Sequence, residues 1–290
     1  MRLEDGRRIE GELLVGADGT GSAVRRLGGF DEPGRRAQLV VTETAGVAVD
    51  DVFRDDGGVL EFELPIGHDG SVESYRWSFA TRIAGQPRVS RGAFVFPRAH
   101  AADTPSARSP RRDLDELLDE RHLSIEPRTV AAYSERIFFD ERSPAAAGRA
   151  LLVGEAAGLV DPITGEGIAQ ALASGRIAAA ALAGALAVGG SIDAEAYRLA
   201  LAAERFHRHL RISARIAPFV YGPLGSTLGV ALASSSSAMA ASARWYAGEH
   251  LGLLRKAGTG VSFAGAAVHR SLRHAATVLL SRNRHAAALR

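Results

Sequence analysis

The stretch that most constrains this chain is residues 149–176, RALLVGEAAGLVDPITGEGIAQALASGR. Residues 150–153, ALLV, have the length and apolar content of a buried strand. Gly154 ends that run, and a turn-rich loop follows with Asp161, Pro162, Thr164, Gly165 and Gly167. From Ile168 to about Leu186 the chain is alanine-rich and reads as a helix. A strand that passes through a glycine-punctuated turn into a helix leaves backbone N–H groups without partners at the helix start, and these suit an anion. The segment therefore predicts one βα unit of an α/β fold, with an anion or cofactor site at its turn.

A second segment near the N-terminus has the same form. In GELLVGADGTGSAVRR, residues 13–15 read as a buried strand, Gly16-Ala17-Asp18-Gly19 as a turn, and Ser22 as the N-cap of a short helix. Asp18 can brace the turn through backbone N–H groups, and Arg25 could neutralise a phosphate.

Together and in this order, the two segments resemble the flavin-contacting motifs of the FAD-dependent hydroxylase superfamily, the p-hydroxybenzoate hydroxylase-like fold. The wording AAGLVDPITGEGI is most similar to the geranylgeranyl reductase branch. The resemblance implies noncovalent FAD, with NAD(P)H as the candidate electron donor. It places Asp18, Gly19 and Arg25 by the pyrophosphate, and Gly154 and Glu155 at the ribityl chain. Asp161 then braces the loop, while Pro162, Gly165, Gly167 and Ile168 let the backbone and a positive helix end approach the isoalloxazine. Glu155 stands where the family usually has Asp, one methylene shorter. The activity implied is reduction of carbon–carbon double bonds in a prenyl-type substrate, small or lipid-like. Aromatic monooxygenation is the alternative, disfavoured because Gly158 stands where hydroxylases more often carry His. The motifs name cofactor contacts and no catalytic proton donor.

Members of this superfamily open with a strand–GxGxxG–helix unit that seats the FAD pyrophosphate. No GxGxxG occurs in this chain, and the ADG turn begins at Ala17, so the expectation is an N-terminally truncated FAD-binding domain. A non-catalytic fragment or pseudoenzyme, unable to hold FAD alone, is the reading from another class. The expected organisation is an α/β (α+β) chain: residues 1–30 and 140–190 as the Rossmann-like remnant, 31–139 as an inserted antiparallel β substrate domain, and 191–290 as a helical C-terminal region.

Within 31–139, residues 39–42, 59–64, 75–79 and 93–96 are strand-like. Tyr75, Trp77 and Phe79 alternate and so share one face. They resemble the YxWxFP string that lines the lipid site of geranylgeranyl reductases, with Ala80 in place of the closing Pro; an ordinary aromatic core face is the other reading. Residues 112–122 predict a charged helix with Leu114, Leu117 and Leu118 inward, and 133–142 a strand returning toward Ala150. An Asp5-Gly6 hairpin at 3–9 and a helix from Asp193 to Ala217, stopped by Pro218, complete the pattern.

Composition narrows the chemistry. The absence of cysteine excludes disulfides, thiolate metal sites and thiol redox catalysis, and the nine histidines show no metal-ligand spacing. No run of about 20 strongly apolar residues and no signal peptide are visible, so a cytoplasmic protein is expected. Residues 198–290 hold twelve arginines and Lys256 against Glu204 and Glu249, a net of +11 in a chain whose total is +2. On a helical wheel Val268, Leu272, Ala275, Leu279 and Ala286 form an apolar stripe, with Arg270, Arg273 and His274 opposite. Such a helix suits peripheral contact with the inner face of a membrane or packing on its own domain; nucleic acid is not the expected partner.

Overall fold

The structure, a computed structural model, describes residues 5–30, 36–45, 53–54, 57–58, 60–63, 74–96, 109–123, 129–136, 139–141 and 143–221, with positions 225, 240 and 244. The amphipathic stripe at 268–286 lies outside the described residues. The chain divides into two compact units, Met1–Pro65 with Glu73–Pro218, and Ile66–Val72 with Phe219–Arg290. Every element described below belongs to the first, apart from the last two residues of α5.

The fold is α/β with an added antiparallel sheet. Strand β1 (Leu14–Gly16) leads into α1 (Ala23–Leu27), and the larger sheet follows as β2 (Arg36–Ala45), β5 (Leu60–Glu63), β6 (Ser74–Ile83), β7 (Gln86–Val95) and β8 (Ala131–Arg136). A two-stranded ribbon, β3 (Phe53–Arg54) with β4 (Gly57–Gly58), precedes β5; α2 (Pro110–Glu120) separates β7 from β8. The chain then makes β9 (Ala146–Ala147), β10 (Ala150–Leu152), α3 (Ile168–Ala187), α4 (Ala194–Ala203) and α5 (Arg205–Val220).

β1 and β10 run parallel, Leu14 opposite Ala150 and Gly16 opposite Leu152, with β9 antiparallel on the far side of β10. Successive residues of a strand face opposite ways. Leu151 accordingly enters a core with Ile177 and Ala178 of α3, Tyr197 and Leu201 of α4, and Leu210 of α5. Leu152 packs the other way, with Phe30, Ala156 and Val24 of α1. The small sheet is thus sandwiched between α1 and α3–α5, the arrangement expected for a parallel pair. Among the described helices α3 alone is long and apolar enough to cross a membrane by length and composition, mostly through alanine.

The large sheet has the order β5-β6-β7-β2-β8 and is antiparallel throughout. Leu114, Leu117 and Leu118 of α2 pack on Val40 and Ala93, as their helical spacing predicts. At the sheet edge Arg76 pairs with Glu63 and with Glu120 (2.8 Å), and Arg121 with Glu61 (2.6 Å), pinning the end of α2 to β5 and β6.

Several boundaries differ from expectation. β6 and β7 form one long hairpin around Ala84-Gly85, both with positive φ, a turn that no Asn-Gly or Asp-Gly pair advertises. The single helix expected over 193–217 is two: the backbone is extended at Glu204, whose carboxylate receives Arg176, and Pro218 is accommodated inside the last turn of α5. Of the returning strand expected at 133–142, residues 133–136 belong to β8 of the large sheet, residues 139–141 are not strand, and β9 of the small sheet lies beyond it. At Asp5-Gly6 there is a turn, with only an isolated bridge at Arg8 beside it among the described residues.

Candidate functional site

The parallel register of β1 and β10 places the two glycine turns side by side at the same strand ends, where α/β sheets bind ligands. On the β1 side, Asp18 does not point into open space. Its Oδ2 accepts from the backbone N–H of Ala23 (2.7 Å) and Val24 (3.2 Å), while Ser22 Oγ accepts from Arg25 (2.9 Å). Partial burial opposes ionisation of Asp18, but the Ser22 hydroxyl and these backbone donors outweigh it and hold its pKa below the ordinary aspartate value. Asp18 is therefore an anionic cap of α1. Gly16 permits the close approach of strand and helix, since a Cβ there would sit 2.5 Å from Leu152 Cδ2 and 2.9 Å from Val24 Cβ.

Arg25 takes a different place from the one the sequence suggests. Its side chain is wholly buried, and the guanidinium donates to Ala156 O (3.1 Å) and Ser143 Oγ (2.7 Å). It ties α1 to the turn after β10. Burial among protein partners supports a bracing role rather than direct contact with a phosphate.

On the β10 side a short 3-10 turn spans Gly154–Ala157. Gly154 has φ +54, and a Cβ there would meet Ala171 Cβ at 2.9 Å, so the position demands glycine twice over. Its N–H donates to Ser174 Oγ at 2.9 Å, which seats the turn on α3. The Glu155 carboxylate reaches back toward the first turn: Oε2 lies 3.6 Å from where a Gly19 side chain would begin. The two sequence motifs, far apart in the chain, are thus brought together.

The loop beyond is organised by Asp161. Its side chain is buried, with Oδ1 accepting from Ile163 N (2.7 Å) and Thr164 N (3.0 Å). Oδ2 accepts from Ser213 Oγ (2.7 Å) and pairs with His209 Nε2 (2.8 Å), both on α5. Burial alone would raise its pKa; the His209 and Ser213 bonds, the Ile163 amide and the His209 charge together hold it below the ordinary value. Pro162 is buried beside it. Gly165 has positive φ and Gly167 caps α3, where a Cβ would stand 3.1 Å from Val160 Cγ2. At the start of α3, Ile168 is exposed and Ala169 N–H is already taken by Glu166 Oε1 (2.9 Å). A carboxylate there offsets part of the positive helix end that the sequence suggests.

The aromatic string lies on the face of the large sheet away from α2. Tyr75, Trp77 and Phe79 line up with Phe62, Phe94 and Phe96, ring centroids 4.7–6.1 Å apart. Trp77 lies over Gly92, where a Cβ would come within 2.1 Å of the indole. Phe94 and Phe96 are buried, Tyr75 and Phe79 are partly open, and Phe62 is 39% exposed. Tyr75 Oη donates to Thr164 O at 2.6 Å, joining the aromatic face to the Asp161 loop.

The sequence alone does not mark His209, Ser213 or Ser174, and it marks Thr164 only as a loop residue. The first two sit one helical turn apart on one face of α5, a spacing common to any helix, so nothing marks them before the fold is known.

A cofactor that is long, polar in its middle and planar at one end fits this donor set. The Glu155 carboxylate can accept hydroxyls, and glycines at 165 and 167 leave the backbone bare. Gln170, buried in the first turn of α3, keeps its side-chain oxygen without a partner, an acceptor for such a ligand's N–H.

Residues 1–198 match the protein family described as FAD binding domain. No curated protein matches the sequence. Among solved structures, the chain is similar to a geranylgeranyl bacteriochlorophyll reductase-like protein from Thermoplasma acidophilum, at 19% identity over 76% of this chain and 54% of that one, TM-score 0.52. It is also similar to the flavin-dependent brominase Bmp2, at 16% identity over 83% of this chain and 58% of that one, TM-score 0.50. The chain spans little more than half the length of these structures, and the likeness is one of fold.

Proposed function

Because this chain belongs to the FAD binding domain family, with FAD the cofactor that membership implies, we propose that it serves a FAD-dependent oxidoreductase acting on carbon–carbon double bonds of a prenyl-type substrate. The observation that carries this reading is the single bond from Tyr75 to Thr164, which sets an aromatic surface against the loop expected to face the flavin. Bound and reduced, FAD would supply the hydride for saturating a double bond.

The chain's own residues do the rest. Glu155 would accept hydroxyls of the cofactor's ribityl chain beside the Gly19 turn. Gly165 and Gly167 would let the bare loop backbone approach the cofactor's planar ring, and Asp161, held by His209 and Ser213, keeps that loop in place. The face of Tyr75, Trp77, Phe79 and Phe62 offers apolar surface for an isoprenoid and excludes water from it. The arginine-rich stretch at 244–290, outside the described residues but for position 244, supports peripheral contact with an anionic membrane, where such substrates reside. NAD(P)H is the proposed electron donor and the cytoplasm the proposed compartment.

The test is to titrate FAD into the protein, reduce the complex chemically without oxygen, and supply geranylgeraniol. Saturated product by mass spectrometry supports the reading. Oxygen-dependent hydroxylation of an aromatic acid, with no isoprenoid reduction, replaces it by the monooxygenase reading. Absence of FAD binding removes both.

A further inference from the structure

Tyr75 belongs to two systems. Its ring stacks on Phe94 with centroids 5.3 Å apart and planes 7° from parallel, and is tilted against Phe62, Trp77 and Phe96 at 5.9, 5.8 and 6.0 Å. These neighbours fix the ring, so the sheet sets where the hydroxyl stands. That hydroxyl reaches a carbonyl 89 positions away, at the short distance of 2.6 Å.

The acceptor is well placed to matter. Within the loop, the N–H groups of Ile163 and Thr164 donate to Asp161 Oδ1, that of Gly165 to Asp161 O, and that of Glu166 to Thr164 Oγ1. Four consecutive amides are thus satisfied inside the loop, which makes it a closed body. Such a body is located by its external bonds. Asp161 supplies one set, to His209 and Ser213 of α5; Thr164 O supplies another, to Tyr75.

The geometry points to Tyr75 as a positioning residue that couples the aromatic face to the 161–166 loop. An apolar chain laid on the face presses on a ring already held by its neighbours, and the rigid phenol carries that restraint to Thr164. Phe79, on the same face, has no polar side-chain atom with which to do so. The substrate half of this inference rests on the prenyl reading above; the tether itself does not.

Hydrogen–deuterium exchange of the full chain tests both halves, with wild type, Tyr75→Phe and Phe79→Leu compared, each with and without farnesol. Without farnesol, amides 163–166 should exchange roughly two- to tenfold faster in Tyr75→Phe, the range that one net hydrogen bond commands. Peptides from β7 and the loop of Phe79→Leu should stay at wild-type rates. Farnesol should protect β6 in wild type and Tyr75→Phe alike, but slow the loop in wild type only. Equal loop exchange in wild type and Tyr75→Phe overturns the tether. So does faster exchange across β7, which would make the bond a general fold contact. Loop protection by farnesol that persists in Tyr75→Phe overturns the coupling. Farnesol that protects β6 in neither protein counts against the prenyl reading and the coupling together, while the ligand-free comparison still decides the tether.

Discussion

The small parallel sheet, proposed to face the cofactor, and the large antiparallel sheet, proposed to face the substrate, are ordered by opposite means. Around the parallel pair, order comes from bare backbone and from charges sealed inside: Gly16 and Gly154 admit close approach, Arg25 is wholly buried, and Asp161 is buried against His209. In the antiparallel sheet the aromatic face is ordered by rings packed across strands. Arg91 is wholly buried on the other face, donating to Thr44 Oγ1 and Ser78 Oγ, but the acidic partners of the edge ion pairs lie toward the rim, Glu120 with 57% of its side chain exposed. A buried charge is costly to strip of its partner, whereas a rim charge hands its partner back to water. The cofactor side should therefore be brittle and the aromatic side forgiving.

Asp161 tests the first half most severely. Asp161→Asn removes a buried carboxylate that His209 Nε2, Ser213 Oγ and two loop amides share. It should cost about 3–5 kcal/mol as buried donors lose their acceptor, a fall of roughly 6–20 °C in Tm by calorimetry. The pH dependence has a definite sign. The folded carboxyl binds its proton less readily than the unfolded one, so its contribution is full above the ordinary value of 3.8 and is lost as the pH falls through the lower folded value. The gap between wild type and variant should accordingly close on acidification. A variant that melts within a degree or two of wild type at neutral pH would end the claim of brittleness.

Glu155 separates holding the fold from holding the ligand. Glu155→Ala should weaken FAD binding by about 1.5–3 kcal/mol, roughly 10- to 150-fold in Kd, and leave the melting of the ligand-free protein nearly unchanged. Equal FAD affinity for the two proteins, measured by fluorescence titration, would remove Glu155 from the site.

What the sequence made legible divides along the same line. The glycine turns, the Ser22 and Asp193 caps and the α2 leucines are local, and each was readable because chain neighbours determine it. Arg25 was readable as a cation near the turn, not as a buried one, since burial depends on Ser143 and Ala156 more than a hundred positions away. The Asp161–Ser213 and Tyr75–Thr164 bonds span 52 and 89 positions and leave no periodic trace. The β6–β7 hairpin escaped because Ala84, not Asn or Asp, occupies the left-handed position before Gly85, and because Arg88, Ser90 and Arg91 interrupt the apolar pattern of β7.

Gly92 measures how forgiving the aromatic side is. Gly92→Ala puts a methyl within 2.1 Å of the Trp77 ring and 2.5 Å of Val40 O. The ring can swing away but the carbonyl belongs to β2, an interior strand paired on both sides, so a cost of about 1–3 kcal/mol is expected. Paired with Trp77→Phe, which frees space over the same position, the loss should shrink. Additive losses in the double variant, read by urea denaturation, would mean that the clash with Val40 O and not the indole sets the limit.

The smallest effect belongs to the rim. Glu120→Gln removes one of two acidic partners of Arg76 while Glu63 stays in contact, so no cation is left alone. Glu120 itself returns to water at little cost, and the pair it loses is worth about 0.2–1 kcal/mol in measured exposed cases. Because the Glu120 end is exposed, salt should erase the difference: wild type and variant should melt together at about 1 M NaCl, where the screening length falls to roughly 3 Å. Arg76 is 8% exposed, which is the reason the comparison is informative. If its burial governed the pair, the loss would approach that of Asp161→Asn and persist in salt, and the contrast between a sealed cofactor side and a solvated sheet rim would fail at its weakest point.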